Sequence, residues 1–267
     1  MLPHAKDEVE ELSLHGAINE LTDANGWKVQ EWHLTSDDVD RTVAAYQALL
    51  RGDLDDELEA MLAEVGINPL GPPISSDQHA KVARADAIEL VAAATVLAIE
   101  EVGIDDIWMP NVPKMSAEKS DSGIDVIGIE LDPNASGEPG EGERLVIVSV
   151  KHTVEKYASG MRGLLEKSVG EDLSGPYLYR QLTTLNGRLR QAGVAPEVAR
   201  RVIYFIRQTL SHPSVRIVCV AASAPVPHCN LPSQPSQLGE ATGPDMHFRM
   251  LFVPDIDSLH TKLIPND

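Results

Sequence analysis

Residues 144–152 read RLVIVSVKH, and within them Val146, Ile147, Val148 and Val150 make an almost unbroken apolar run that ends on Lys151. Successive side chains of a strand point to opposite faces, so a strand apolar at every position has to be covered on both. The chain must therefore supply helices for two sides of a sheet, and the sequence offers them. Residues 78–102, QHAKVARADAIELVAAATVLAIEEV, carry an Ala-rich helical pattern closed by Gly103. Helix-like stretches follow the run around 153–169, 176–192 and 196–210. SGIDVIGIEL precedes the run as a second strand, joined to it by DPNASGEPGEGE, a loop with almost nothing to bury, so the two predict a hairpin. RIVCVAAS and HFRMLFVP add two more strands. The order helix, strands, helices, strand, strand predicts an α/β fold, a mixed sheet flanked by helices.

The first 75 residues have a different character. WKVQEWHL alternates as a strand, whereas SDDVDRTVAAYQALL and DDELEAMLAEV open on capping-type acids and continue with apolar residues at helical spacing. GINPLGPPISS is a cluster of helix and strand breakers. The expected division is an acidic, mainly helical N-terminal region at 1–75 and a second domain at 76–267. With 41 acidic against 22 basic residues the formal charge is −19, which works against an unaided grip on a polyanion. Two cysteines make no disulfide framework, the opening MLPHAKDEVEEL has no export signal, and no apolar run approaches the length of a membrane span. The expected location is the cytoplasm. A Walker-type phosphate loop is missing, and His228–Cys229 is too solitary for zinc.

Three residues suggest chemistry. Glu89 has Ala85, Ala92, Ala93 and Val96 as its helical neighbours, a small apolar face on which a carboxylate needs a partner; a half-exposed surface Glu is the plain alternative. If the hairpin pairs simply, Leu131 stands opposite Leu145 and Asp125 opposite Lys151, with Ser149 on the same face. A cross-strand salt bridge would explain the last pair. Ending so apolar a strand on an ionised lysine costs desolvation, however, and favours a working cluster. Phosphodiester hydrolysis gives the cluster a purpose: Asp125, Glu89 and a strand carbonyl offer hard oxygen ligands to Mg²⁺, with Mn²⁺ as the substitute. Lys151 would orient the attacking water and neutralise charge on the phosphate.

A helical Glu, an Asp entering a strand in SGIDVIG, and a strand ending Ser149-Val150-Lys151 together resemble the PD-(D/E)xK nuclease superfamily. The resemblance implies a restriction-endonuclease-like fold and a DNA nuclease. More narrowly, the hairpin, the Lys strand followed by a helix and the chain length look like the nuclease subunit of Hachiman-type anti-phage systems, over about residues 80–260. That likeness implies a helicase or ATPase partner. Ser149 departs from the superfamily, which has an acid there, and some members move that acid to the next helix, where this chain offers Glu155 and Glu166. Gln181 matches the place of a phosphate-proximal Gln in several members. Arg162, Lys167, Arg180, Arg188, Arg190, Arg200 and Arg201 concentrate positive charge between 150 and 210, where a nucleic-acid backbone would lie. Two other classes stand beside the nuclease: a regulatory DNA-sensing subunit that keeps the fold without catalysis, and an interaction protein whose acidic N-terminal region docks a basic partner.

Overall fold

The structure, a computed structural model, describes residues 12, 14–22, 28–51, 56–66, 68, 70, 74, 76–99, 106–108, 124–130, 132, 137–140, 142–154, 158–168, 179, 182–183, 186–187, 190, 195–206, 214–225 and 246–264. Among the described residues seven strands make one sheet: β1 (Ala17–Thr22), β2 (Lys28–His33), β3 (Asp106–Trp108), β4 (Val126–Glu130), β5 (Arg144–His152), β6 (Val215–Ser223) and β7 (Met246–Phe252). Their spatial order is β1-β2-β7-β6-β5-β4-β3. The central four, β2, β7, β6 and β5, run parallel, and an antiparallel strand or pair closes each side. The helices among the described residues include α1 (Ser36–Arg51), α2 (Asp56–Glu64), α3 (Asp77–Ile99), α4 (Ala158–Lys167), α5 (Pro196–Ile206) and α6 (Leu259–Leu263). The molecule is thus α/β, with a mixed sheet flanked by helices, as the doubly apolar β5 demands.

Side-chain alternation on β5 divides the core in two. Val146, Val148 and Val150 join one cluster with Ala92, Ala93 and Val96 of α3, while Leu145 and Ile147 join another with Met161 and Leu165 of α4 and Val202 and Phe205 of α5. The alanines of α3 are what let so long a helix lie close on the strands, because small side chains shorten the distance between backbone and sheet. Residues 87–94 of α3 are all buried. The sheet also runs through the expected seam near residue 75, since β2 pairs in parallel with β7 from Val29–Phe248 to His33–Phe252.

α1 starts with a reciprocal cap. The Asp38 amide donates to Thr35 Oγ1 at 3.1 Å, and the Thr35 amide donates back to Asp38 Oδ2 at 2.7 Å, a capping box with Asp in the acid position. His15 N–H and Arg41 add donors to Oδ1 at 2.8 and 2.6 Å. Burial pushes the Asp38 carboxyl up, and these donors outweigh it and hold it below its ordinary value. Thr35→Ala is expected to cost about 1 kcal/mol and Asp38→Ala about 2 kcal/mol in urea unfolding, because the second change also strands the His15 amide and Arg41.

α6 is fastened across the start of α3. Arg84 Nη1 donates to the Asp257 carbonyl at 3.0 Å and meets His260 Nδ1 at 3.1 Å, a contact that needs Nδ1 unprotonated. Burial, then the Arg84 charge, lowers the His260 pKa. A base lowered on folding is neutral in both states above its unfolded value near 6.5, and below it only the unfolded chain takes up the proton. Stability is therefore expected to decline as the pH falls from 7 towards 5, and His260→Gln should flatten that slope in thermal melts recorded across the range.

Candidate active-site edge

Glu130 faces Arg144 and Val126 faces Val148 across the hairpin. The expected register, Leu131 opposite Leu145 and Asp125 opposite Lys151, is therefore displaced by two residues. The cause lies at the loop end. Glu143 leaves the ladder to accept from the Gly140 amide at 3.1 Å and from Arg201 Nε at 2.7 Å, and the opposite charges of Glu130 and Arg144 then meet across the strands. A shift of two keeps every side chain on its face, whereas a shift of one would have reversed them. The paired register ends at Val126 opposite Val148, and Asp125 lies one residue before it, out of regular step with Ser149 and Lys151.

Asp125 is buried at the start of β4. Its amide donates to the Val148 carbonyl at 3.0 Å, and its Oδ2 accepts from the Val150 amide at 2.6 Å. The carboxylate thus takes the place on β5 that a β4 carbonyl would have filled had the ladder continued. Strand amides point along the sheet rather than out of it, so this oxygen sits at the sheet edge, between the two covered faces. Ser149 is fully buried, level with Cys219 of β6, and Lys151 at the strand end is half-buried, not enclosed as its apolar run suggests. Solvent reaches Lys151 because β5 is leaving its neighbour β4 there.

Glu89 resolves its two readings in favour of burial: it is 4% exposed, and Ala92, Ala93 and Val96 around it are fully covered. It belongs to α3, over the face that holds Val148 and Val150, whereas the two-residue period directs Ser149 and Lys151 to the α4 face. The carboxylate and the lysine therefore start from opposite sides of the sheet, with Asp125 at the edge between them. Asp86, one helical turn before Glu89 and as deeply buried, is a residue the sequence reading passed over. Tyr46 Oη donates to Asp86 Oδ2 at 3.3 Å, and burial, then the charges of Asp86 and Glu89, push the Tyr46 pKa up. An acid three residues from Glu89 was the available signal.

Glu155 and Gln181 lie outside the described residues, as do His228 and Cys229; Glu166 is on α4 with its side chain outside them. Lys167, Arg190 and Arg200 are exposed. Arg201 does not belong with them. It is 1% exposed, bound to Glu143 through Nε and Nη2 and to the Gly137 carbonyl at 3.0 Å, because the loop before β5 closes over α5. Arg249 is a second interior arginine, unforeseen from sequence. It donates to Gln30 Oε1 at 3.3 Å and Thr95 Oγ1 at 3.0 Å, and burial, then Arg216, pulls its pKa down to about 9.

Among the described residues no three His, Cys, Asp or Glu side chains group as a metal cage. No helix among them is long and apolar enough to cross a membrane. No protein family model matches the chain, and no curated protein is significantly similar to it.

Proposed function

We propose that the chain is a metal-dependent DNA nuclease of restriction-endonuclease-like fold, hydrolysing phosphodiesters at the edge where β4 and β5 part, in prokaryotic anti-phage defence and under the control of a helicase partner. One observation carries the reading. Asp125 is buried where β4 meets β5, bonded to the Val148 carbonyl and the Val150 amide, and the half-buried Lys151 follows Val150 at the end of that apolar strand. The element order supports the reading: a helix with Glu89, a strand that opens after Asp125, a strand with Lys151 next to its last residue, then helices α4 and α5 and the parallel strand β6.

Mg²⁺ keeps several of its waters and takes one or two carboxylates besides substrate phosphate, a demand that Asp125 and Glu89 meet in number and in donor type. The bound ion would activate water and polarise the phosphoryl oxygens. Asp125 holds its carboxylate in a fixed place through the Val150 amide. Lys151 presents its ammonium from the strand end to the phosphate oxygens on which negative charge grows. The exposed Lys167, Arg190 and Arg200 offer the nucleic-acid backbone local cations on a chain of net charge −19.

The Asp125 bond to the Val150 amide also favours a second reading, in which the aspartate serves the strand and the fold senses DNA without cutting it. Plasmid DNA incubated with the protein and Mg²⁺ or Mn²⁺, with and without the helicase, separates the two. Cleavage that Lys151→Ala and Asp125→Ala abolish is the expected result. Cleavage indifferent to both substitutions sinks the assignment, and binding without cleavage in either metal selects the sensing subunit.

A further inference from the structure

Six large apolar side chains are exposed among the described residues, and three of them, Leu58 at 42%, Met61 at 58% and Val65 at 69%, fall within eight positions on α2 and its end. Their spacing of three and four residues aligns them as one stripe along the helix. Scattered surface apolar residues need no account, but a stripe of this kind marks a contact surface. The helix is too short to hold its form by local propensity alone, which makes packing on that stripe valuable to it.

Charge decides what can pack there. Of the nine residues of α2 four are acidic and none is basic, and Glu57 and Glu64 are exposed beside the stripe. Nucleic acid and anionic lipid are repelled by such a rim. A second copy of the chain would set acid against acid. We infer that α2 is a docking helix whose stripe inserts into an apolar groove on a partner protein, with Lys and Arg of that protein along the groove's margins. This surface is independent of the catalytic reading of the β4–β5 edge.

A photo-crosslinking amino acid placed at position 61 of the full chain, in its native cell, tests the inference. The same probe at exposed Ala44 on α1 serves as the control. The expected product is an adduct with one protein, joined by mass-spectrometric mapping to an apolar residue flanked by Lys or Arg, at a yield well above that from position 44. The charge reversal Glu57→Lys with Glu64→Lys should reduce the adduct about tenfold without changing the melting temperature. Titration of the purified partner should show the same tenfold loss for Met61→Glu and weaker binding at high salt. A yield no higher than the control, adducts with another copy of the chain, with lipid or with nucleic acid, or indifference to the charge reversal would each overturn it.

Discussion

Arg201→Ala is expected to destabilise the protein by about 3–5 kcal/mol, a large part of the 5–15 kcal/mol that holds a typical domain together. The reason is what the substitution leaves behind. Glu143 is 3% exposed, and its two oxygens receive Arg201 Nε, Arg201 Nη2 and the Gly140 amide. Without the guanidinium a carboxylate remains in the interior with a single donor, and the Gly137 carbonyl loses its partner as well. Gly137 turns the chain there at a φ of +82°, a conformation that glycine adopts without steric cost. In thermal melts the loss should appear as a fall of roughly 10 °C. The double change Arg201→Met with Glu143→Leu should be much milder than Arg201→Ala, because an apolar pair strands no charge. A double variant as unstable as the single one would show that packing volume, not charge pairing, holds the loop.

The second large effect concerns Asp125, where asparagine and alanine should part company. Asparagine keeps a side-chain oxygen for the Val150 amide and loses the negative charge; alanine loses both. Asp125→Ala is expected to cost about 1–3 kcal/mol through the abandoned amide, and Asp125→Asn less than about 1 kcal/mol. Both should reduce cleavage by about 10²–10³-fold, the scale set by removing one electrostatic group from a reacting site. An asparagine variant that cleaves like the native protein would make the carboxylate a strand cap and nothing more.

Periodicity carried much of the architecture in the sequence. β5 announced itself by being apolar at nearly every position, and α3 by alanine spacing, because burial on both sides of an element leaves a pattern that any window of ten residues contains. β1 and β3 were missed for the opposite reason: AINELT and DIW are short, and their strand conformation comes from hydrogen bonds to β2 and β4 rather than from their own composition. Of the candidate site, alternation along β5 kept Ser149 and Lys151 on a common face through the two-residue shift, whereas Asp125 lies before the paired register and bonds to the Val148 carbonyl, outside that alternation. The register itself depended on Glu143 preferring Arg201 on a helix more than fifty residues away, which no local rule contains. Arg201, grouped with the exposed cations, is buried for a related reason, because an arginine is read as solvated until its partner in space is known.

β2 and β7 join the early part of the sequence to the late part. Gln30 and Arg249 touch although 219 positions separate them, and Gln47 reaches the Leu263 carbonyl across 216. Contacts so distant along the chain are slow to form and cannot be made during synthesis until the later partner has left the ribosome. β2, with its unmatched strand edge, must wait until the residues between it and β7 have been made, and in that interval it invites pairing with other chains. Expression yield should therefore respond more to changes in β2 than its few residues would suggest. Whatever this sheet does, it does only once synthesis has reached β7.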